Sequence, residues 1–163
     1  MIIRKATVED YDAIWNIFQA VIKTGDTYPF SPTTSKESLH QHWFADSMSS
    51  YVADQDGKII ATYIIKPNQT GLGSHIANCS YMVCPDARGK GVGRLICEHS
   101  ITEAQQLGYK AMQFNLVVST NHAAVALWQK CGFKIIGTIP EGFKHQSLGY
   151  VDAHIMYRKL SKA

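Results

Sequence analysis

Hydrophobic and polar positions along this chain repeat with two periods, one near two residues and one near 3.6, and the switches between them mark the elements. Met1-Ile2-Ile3-Arg4-Lys5 reads as a first strand. Thr7 with Asp10 three residues on has the form of a helix start. Ala13, Ile14, Ile17, Phe18, Val21 and Ile22 then recur at helical spacing, and Gly25 ends that helix. Asp26 to Thr34 holds Pro29, Pro32 and several Ser/Thr residues, which marks a loop, yet it carries the aromatic pair Tyr28 and Phe30. Ser35 to Ala45 is expected as a second helix with Leu39, Trp43 and Phe44 inward and Ser35 or Ser38 as its cap. Tyr51-Val52-Ala53 and Lys58 to Lys66 read as strands joined at Asp54-Gln55-Asp56-Gly57, a hairpin signal of the Asp-Gly type. Asn68 to Ser74 is a glycine-rich loop, and His75 to Cys84 a fourth strand. A helix running to about Leu107 follows, closed by Gly108. Lys110 to Val118 is a fifth strand. Asn121 opens a helix through Ala123, Ala124, Leu127 and Trp128 that Gly132 ends. Phe133 to Ile139 and Tyr150 to Leu160 are the last strands, with Pro140 to Gly149 expected as a polar loop between them. The order predicts one α+β domain over residues 1–163, a mixed sheet with helices on both faces.

The stretch between the fourth strand and its helix carries the chemistry. Pro85 stops the strand, because it has no N–H for a ladder. Arg88-Gly89-Lys90-Gly91-Val92-Gly93-Arg94 then interleaves three glycines with three cations. Glycine lets the backbone approach a ligand and turn its N–H groups inward. The following helix offers unpaired N–H groups and a partial positive charge at its start. The site suits a polyanion, most simply a diphosphate. The dinucleotide pattern G-x-G-x-x-G fails, since Arg94 takes the last position, and no Gly-Lys-Ser/Thr of a triphosphate loop occurs.

Bulk properties narrow the classes. The chain of 163 residues suits a single core. Hydrophobic content of 45% and charged content of 18% are ordinary for a globular protein. A net charge of +3, with no dense basic run outside the glycine loop, gives no reason to expect a nucleic-acid partner. No apolar run approaches the ~20 residues of a membrane helix, and the N-terminus lacks a signal peptide's apolar core, so a cytoplasmic location is expected. Cys79, Cys84, Cys97 and Cys131 form no C-x-x-C pair and read as reduced residues. His75, Cys79 and Cys84 match no common zinc spacing, and no metal is expected.

Arg88, Gly91 and Gly93 spell R-x-x-G-x-G. With the lead-in Met82-Val83-Cys84-Pro85, this resembles the acyl-CoA loop of the GNAT N-acetyltransferase superfamily. A second stretch agrees: Asn121, Ala124, Trp128, Gly132 and Phe133 fit the family's second signature. The resemblance covers essentially the whole chain. It implies a central mixed, mostly antiparallel sheet whose fourth and fifth strands splay apart, with pantetheine in the gap. It implies acetyl-CoA as cosubstrate, held by Met82, Val83, Arg88, Gly89, Lys90, Gly91, Val92, Gly93, Arg94, Asn121, Ala124 and Trp128. Main-chain N–H groups near Met82 and Val83 would bond the thioester oxygen, at ~3 kcal/mol of transition-state stabilisation per well-placed donor. A homodimer is also implied by analogy. Trp128 departs from the pattern: many members keep Tyr there, thought to protonate the leaving thiolate, and indole does not serve as an acid. Tyr109, Tyr81 or water would replace it, or the thiolate leaves as an anion.

Segments Lys66-Pro67-Asn68, His75 to Cys79 and Phe114 to Asn121, with Val151 to Ile155, are similar to the azetidine-2-carboxylate N-acetyltransferases. Gly25 to Phe30 and Gly142 to His145 resemble the amino-acid and phosphinothricin branch. These likenesses imply a small, amino-acid-like amine as acceptor, bound by Tyr28, Phe30, His75, Asn78 and Asn115. Asn78 and Asn115 each interrupt an apolar strand pattern, where Asn is depleted and a buried unpaired amide costs ~1–3 kcal/mol. Either they orient the acceptor, with Val83 completing the catalytic set through its N–H, or they satisfy backbone freed by the splay. An α-amine with a pKa of ~8 is ~10% neutral at pH 7, whereas a Lys amine is ~0.04% neutral. No Glu stands in the fourth strand to assist a Lys. His75 and His145 are candidate bases if they reach the pocket. Two other readings remain open: an acetylase of protein N-termini or lysines, and a non-catalytic acyl-CoA sensor.

Overall fold

The computed structural model describes residues 1–160; the last three residues of the expected 1–163 domain lie outside the described residues. Seven strands form one sheet in the order β1-β2-β3-β4-β5-β7-β6. They are β1 (Ile2–Lys5), β2 (Ser49–Gln55), β3 (Lys58–Pro67), β4 (Ile76–Val83), β5 (Ala111–Val118), β6 (Lys134–His145) and β7 (Gly149–Lys159). The helices are α1 (Tyr11–Ile22), α2 (Leu39–Trp43), α3 (Val92–Gln106) and α4 (His122–Lys130). Every pairing is antiparallel except β4 with β5.

Alternation along the central strands divides the core in two. Tyr51, Tyr63, Tyr81, Met112 and Phe114 face α3, where Ile96, Cys97 and Ala104 bury. Val52, Ile64 and Met82 face α1 and α2, against Ile14, Phe18, Leu39 and Trp43. Helices therefore cover both faces, as the periodicities imply. The first turn is locked by charge as well as packing. Asp10 accepts Thr7 N–H at 2.8 Å and pairs with Arg4 at 2.7 Å. The Arg4 hydrogen bond is the main cause that holds the Asp10 carboxyl below its usual range. The β2–β3 hairpin turns at Asp56-Gly57, both at positive φ (54° and 84°), as a two-residue Asp-Gly turn requires.

Two sequence expectations are corrected. The helix expected over Ser35 to Ala45 shrinks to Leu39–Trp43. Ser38 and Leu39 N–H groups donate to the Ser35 and Lys36 carbonyls as isolated turns, and the Ser38 hydroxyl donates to the Ser35 carbonyl at 2.8 Å. Local serine bonding competes with a continuing helix there. The loop expected over Pro140 to Gly149 is mostly strand, because β6 runs to His145 and only residues 146–148 turn. Pro140 is tolerated because β6 is a sheet edge. A register shift between Ile139 and Phe143 absorbs Pro140 and Gly142, and Asp152 accepts Glu141 N–H at 2.9 Å. None of the helices described is long and apolar enough to cross a membrane.

Candidate active site

β4 and β5 pair over Ile76↔Ala111 and Ala77↔Met112 and then part. β5 stays paired with β7 from Ala111 to Val118, with a register shift between Phe114 and Val117. The result is a gap beside residues 78–83 of β4. Its main-chain groups can be assigned by alternation. Ile76 accepts from Asn68 N–H, and Cys84 donates to Ile60, so even-numbered residues of β4 face β3. Cys79, Tyr81 and Val83 therefore turn their N–H and C=O groups into the gap. Met82 does not: its N–H lies on the β3 side and its side chain is buried under α1. The expectation of a gap-facing Met82 N–H is thus corrected, whereas the Val83 and Tyr81 N–H groups turn into the gap.

At the end of β4 the chain makes a short 3-10 turn, Pro85–Ala87, and enters the glycine loop. Gly89 and Gly91 have φ of 74° and 79°, the left-handed region. Gly91 is the N-cap of α3, and no atom lies within 4 Å of where its Cβ would stand. Arg88 and Lys90 are exposed and join no ion pair among the described residues. Arg94 is bonded to Glu98 at 2.7 Å, so its charge is partly answered. Val92 is buried beneath the loop and Gly93 lets α3 approach Leu127 of α4. Asn121 caps α4 by accepting Ala124 N–H at 3.2 Å. Trp128 packs on the Tyr81 and Phe114 rings, with centroids 4.8 and 5.1 Å apart. The loop, the open edge of β4 and the second half of α4 thus lie in continuity.

On the α1/α2 face of the gap stands a cluster of amides. Asn78 donates to the Gln113 carbonyl at 3.0 Å. That is the backbone-satisfying role weighed above, and it spends one Asn78 donor. Asn115 donates to Asn68 at 2.7 Å and accepts from Gln113 at 3.0 Å. Gln113 was missed in the sequence although it interrupts the same apolar run as Asn115, and Asn68 was not assigned a role because it stands in a loop after β3. Lys66 lies directly opposite Asn78 on the same face and joins no ion pair among the described residues. Burial, and then the Lys66 cation, hold the nearby His42 imidazole below its usual value. Two histidines stand apart from this cluster. His75 is exposed and faces the Leu72 carbonyl at 3.2 Å; His145 receives the Ser147 and Leu148 N–H groups of the β6–β7 turn.

The aromatic loop is anchored. Phe30 packs on His42 and Phe18 at 4.8 and 5.1 Å, and stacks with Tyr28 at 5.9 Å. The Tyr28 hydroxyl accepts Tyr81 N–H at 2.8 Å and donates to Tyr81 C=O at 2.6 Å. Among the described residues, no group of three or more His, Cys, Asp or Glu side chains is placed to hold a metal.

An open strand edge running into a cationic glycine loop is the geometry of an acyl-CoA site, and the comparisons agree. The sequence matches the Acetyltransferase (GNAT) family over residues 11–133, and the chain belongs to that family. It is an N-acetyltransferase whose family draws the acetyl group from acetyl-CoA. It is 29% identical to N-acetyltransferase aca1 of Schizosaccharomyces pombe, over 82% of this chain and 72% of that protein. It is 27% identical to YwnH of Bacillus subtilis, whose name marks it as a candidate phosphinothricin acetyltransferase, over 99% of this chain and 100% of YwnH. A GNAT N-acetyltransferase from Kribbella flavida superposes with a TM-score of 0.92 at 40% identity, covering 98% and 97% of the two chains.

Proposed function

We propose that this enzyme acetylates the amine of a small, carboxylate-bearing, amino-acid-like acceptor by direct attack on acetyl-CoA. The observation that carries the reading is the amide cluster of Asn68, Asn78, Gln113 and Asn115 with Lys66 beside it. Neutral amides supply both donors and acceptors, as an amine and a carboxylate held together require. A lysine ammonium on the same face supplies the counter-charge for the carboxylate. Arg88, Lys90 and the Gly89–Gly93 backbone hold the diphosphate, while Asn121 and Trp128 border the pantetheine arm. The gap-facing Val83 N–H serves the acyl group. An α-amine needs little base assistance, which accords with a site holding no acidic residue in β4.

The test is thiol release from acetyl-CoA across proline analogues, free amino acids, phosphinothricin and peptides with a free N-terminus or a lysine. Release is expected with one amino-acid-like amine. Asn115→Ala should raise the KM for that amine about tenfold, the worth of one or two hydrogen bonds, and leave acetyl-CoA affinity intact. Turnover confined to the peptides would move the assignment to protein acetylation. Binding of acetyl-CoA with silence across the panel would favour the sensor.

The same reading includes a homodimer in a reducing, cytosolic setting, which four free cysteines suit. β6 is an unpaired edge that exposes Ile135, Ile136 and Ile139, with Leu148 and Tyr150 on its hairpin. Such an edge invites a second copy. In sedimentation velocity, Ile136→Asp should convert dimer to monomer without loss of fold. A parent chain that sediments as a monomer at micromolar concentration would remove the dimer from this account.

A further inference from the structure

We propose that the Tyr28 hydroxyl is a hydrogen-bond donor to the acyl oxygen of bound acetyl-CoA, working together with a gap-facing N–H of β4. The proposal rests on acetyl-CoA lying along β4, as the functional reading holds.

The placement follows from chain geometry. The diphosphate site is the loop that begins where β4 ends, at residues 88–93. The pantetheine arm carries two amides, and an open strand edge accepts such a chain as it accepts another strand. An arm of about 15–18 Å spans about five strand residues at ~3.3 Å each. Counting back from Arg88, the 3-10 turn Pro85–Ala87 takes up about 6 Å at ~2 Å per residue and the extended chain from Cys84 to Tyr81 about 10 Å, so an arm of that length ends at Tyr81. The thioester therefore comes to rest where the Tyr81 main chain faces the gap.

That position already holds an oxygen. The Tyr28 hydroxyl takes the Tyr81 N–H and gives its own proton to the Tyr81 carbonyl. Both backbone groups lost a strand partner when β5 turned away, and one phenol answers both. It reaches them from the α1/α2 side, the side of the amide cluster, across 53 residues of sequence. Trp128 approaches the same strand from the opposite side and has no acid to offer. Among the described residues, Tyr28 is the phenol bonded to the gap-facing backbone of β4. The Tyr81 hydroxyl is committed to Ser100 at 2.8 Å in the α3 core.

The chemistry favours donation over proton transfer. Burial pushes the Tyr28 phenol above its ordinary value. A phenol held neutral is a strong donor to an oxyanion and a poor acid toward a thiolate of pKa ~8.5. When acetyl-CoA binds, the O–H turns from the Tyr81 carbonyl to the acyl oxygen. As the amine attacks, an N–C bond forms and the carbonyl π pair moves onto that oxygen. Collapse of the intermediate restores the carbonyl and expels CoA thiolate, while the amine proton passes to solvent. Tyr28 keeps its proton throughout. The phenol thus fills the hole in the empty enzyme and lines it in the loaded one. Anchoring by Phe30 on Phe18 and His42 keeps it in register.

The experiment needs no acceptor, so its failure is separable from a wrong acceptor assignment. Isotope-edited infrared spectroscopy reads the carbonyl stretch of [1-13C]acetyl-CoA bound to the parent and to Tyr28→Phe, with the dissociation constants of acetyl-CoA and CoA measured beside it. The parent should lower the carbonyl frequency, and Tyr28→Phe should return it toward the solution value. The preference for acetyl-CoA over CoA should fall about threefold to tenfold, the range of one hydrogen bond, with CoA affinity unchanged. If Tyr28→Phe does not fold, site-specific 3-fluorotyrosine at position 28 keeps the hydroxyl bridge, and its more acidic phenol should lower the frequency further. An unshifted band with either variant, or equal loss of CoA and acetyl-CoA affinity in Tyr28→Phe, overturns the proposal and leaves Tyr28 as a brace for β4.

Discussion

Replacing Gly91 by valine is expected to weaken CoA binding at least about 100-fold while the fold survives. Gly91 has φ of 79° at the N-cap of α3. A β-branched residue there is a true outlier, with strain of about 1–3 kcal/mol. Internal clash is not the reason, since no atom lies within 4 Å of the added Cβ. In the proposed binding mode, the open side is the side from which the diphosphate approaches. To relieve the strain the peptide must rotate, and the N–H groups of Val92 and Gly93 then leave the cradle. Two hydrogen bonds to a charged group are worth about 3 kcal/mol or more together, which is about 100-fold in affinity. Gly93→Ala is the informative contrast: its Cβ would meet the Leu127 side chain at 3.2 Å, a flexible neighbour that can yield. Calorimetric titration with CoA checks both. Affinity of Gly91→Val within about threefold of the parent would mean that the loop does not bind through its backbone.

Trp43→Ala should cost about 3–5 kcal/mol of stability, the range for removing a large buried aromatic. For a chain of this size that corresponds to a melting point lower by roughly 6–20 °C. Trp43 is fully buried and meets Phe18 edge-on at 5.8 Å. Its indole N–H donates to the Thr62 hydroxyl at 2.8 Å, and that hydroxyl donates to the Tyr51 carbonyl at 2.8 Å. One side chain thus fastens the five-residue α2 to the centre of the sheet. The loss reaches the site, because α2 also carries His42, on which Phe30 rests. Trp43→Phe separates the terms: it keeps most of the apolar contact and removes the donor, for about 1–3 kcal/mol. Urea denaturation measures each. A loss below about 1 kcal/mol in Trp43→Ala would show that α2 is held by other contacts.

Local signals carried much of this molecule. The Asp56-Gly57 turn, the Asn121 cap, the glycine loop and the apolar stripe of α1 each rest on residues within one turn or hairpin of each other. Their chemistry is readable before folding. The errors arose where short-range and long-range preferences compete. Ser38 does stand at the N-cap of α2, but its hydroxyl donates back to the Ser35 carbonyl and makes no capping bond, so the preceding residues form a turn rather than more helix. Pro140 and Gly142 looked like a loop, yet an edge strand with a shifted register accommodates them. His75 and His145 were candidates for a base on residue type alone, and the folded chain bonds each to its own loop or turn.

The sequence by itself determined the order of elements, the family and the cationic glycine loop at the start of α3. Those features depend on period, on glycine's freedom at positive φ, and on charge spacing over a few residues. Only the tertiary structure decided which N–H groups of β4 face the gap, because that parity follows from pairing with β3. It alone joined Asn115 to Asn68 across 47 residues and Tyr28 to Tyr81 across 53. A hydrogen bond of that span leaves no local trace: its partners are chosen by strand register and by where β5 departs from β4, and neither is encoded near the residues it brings together.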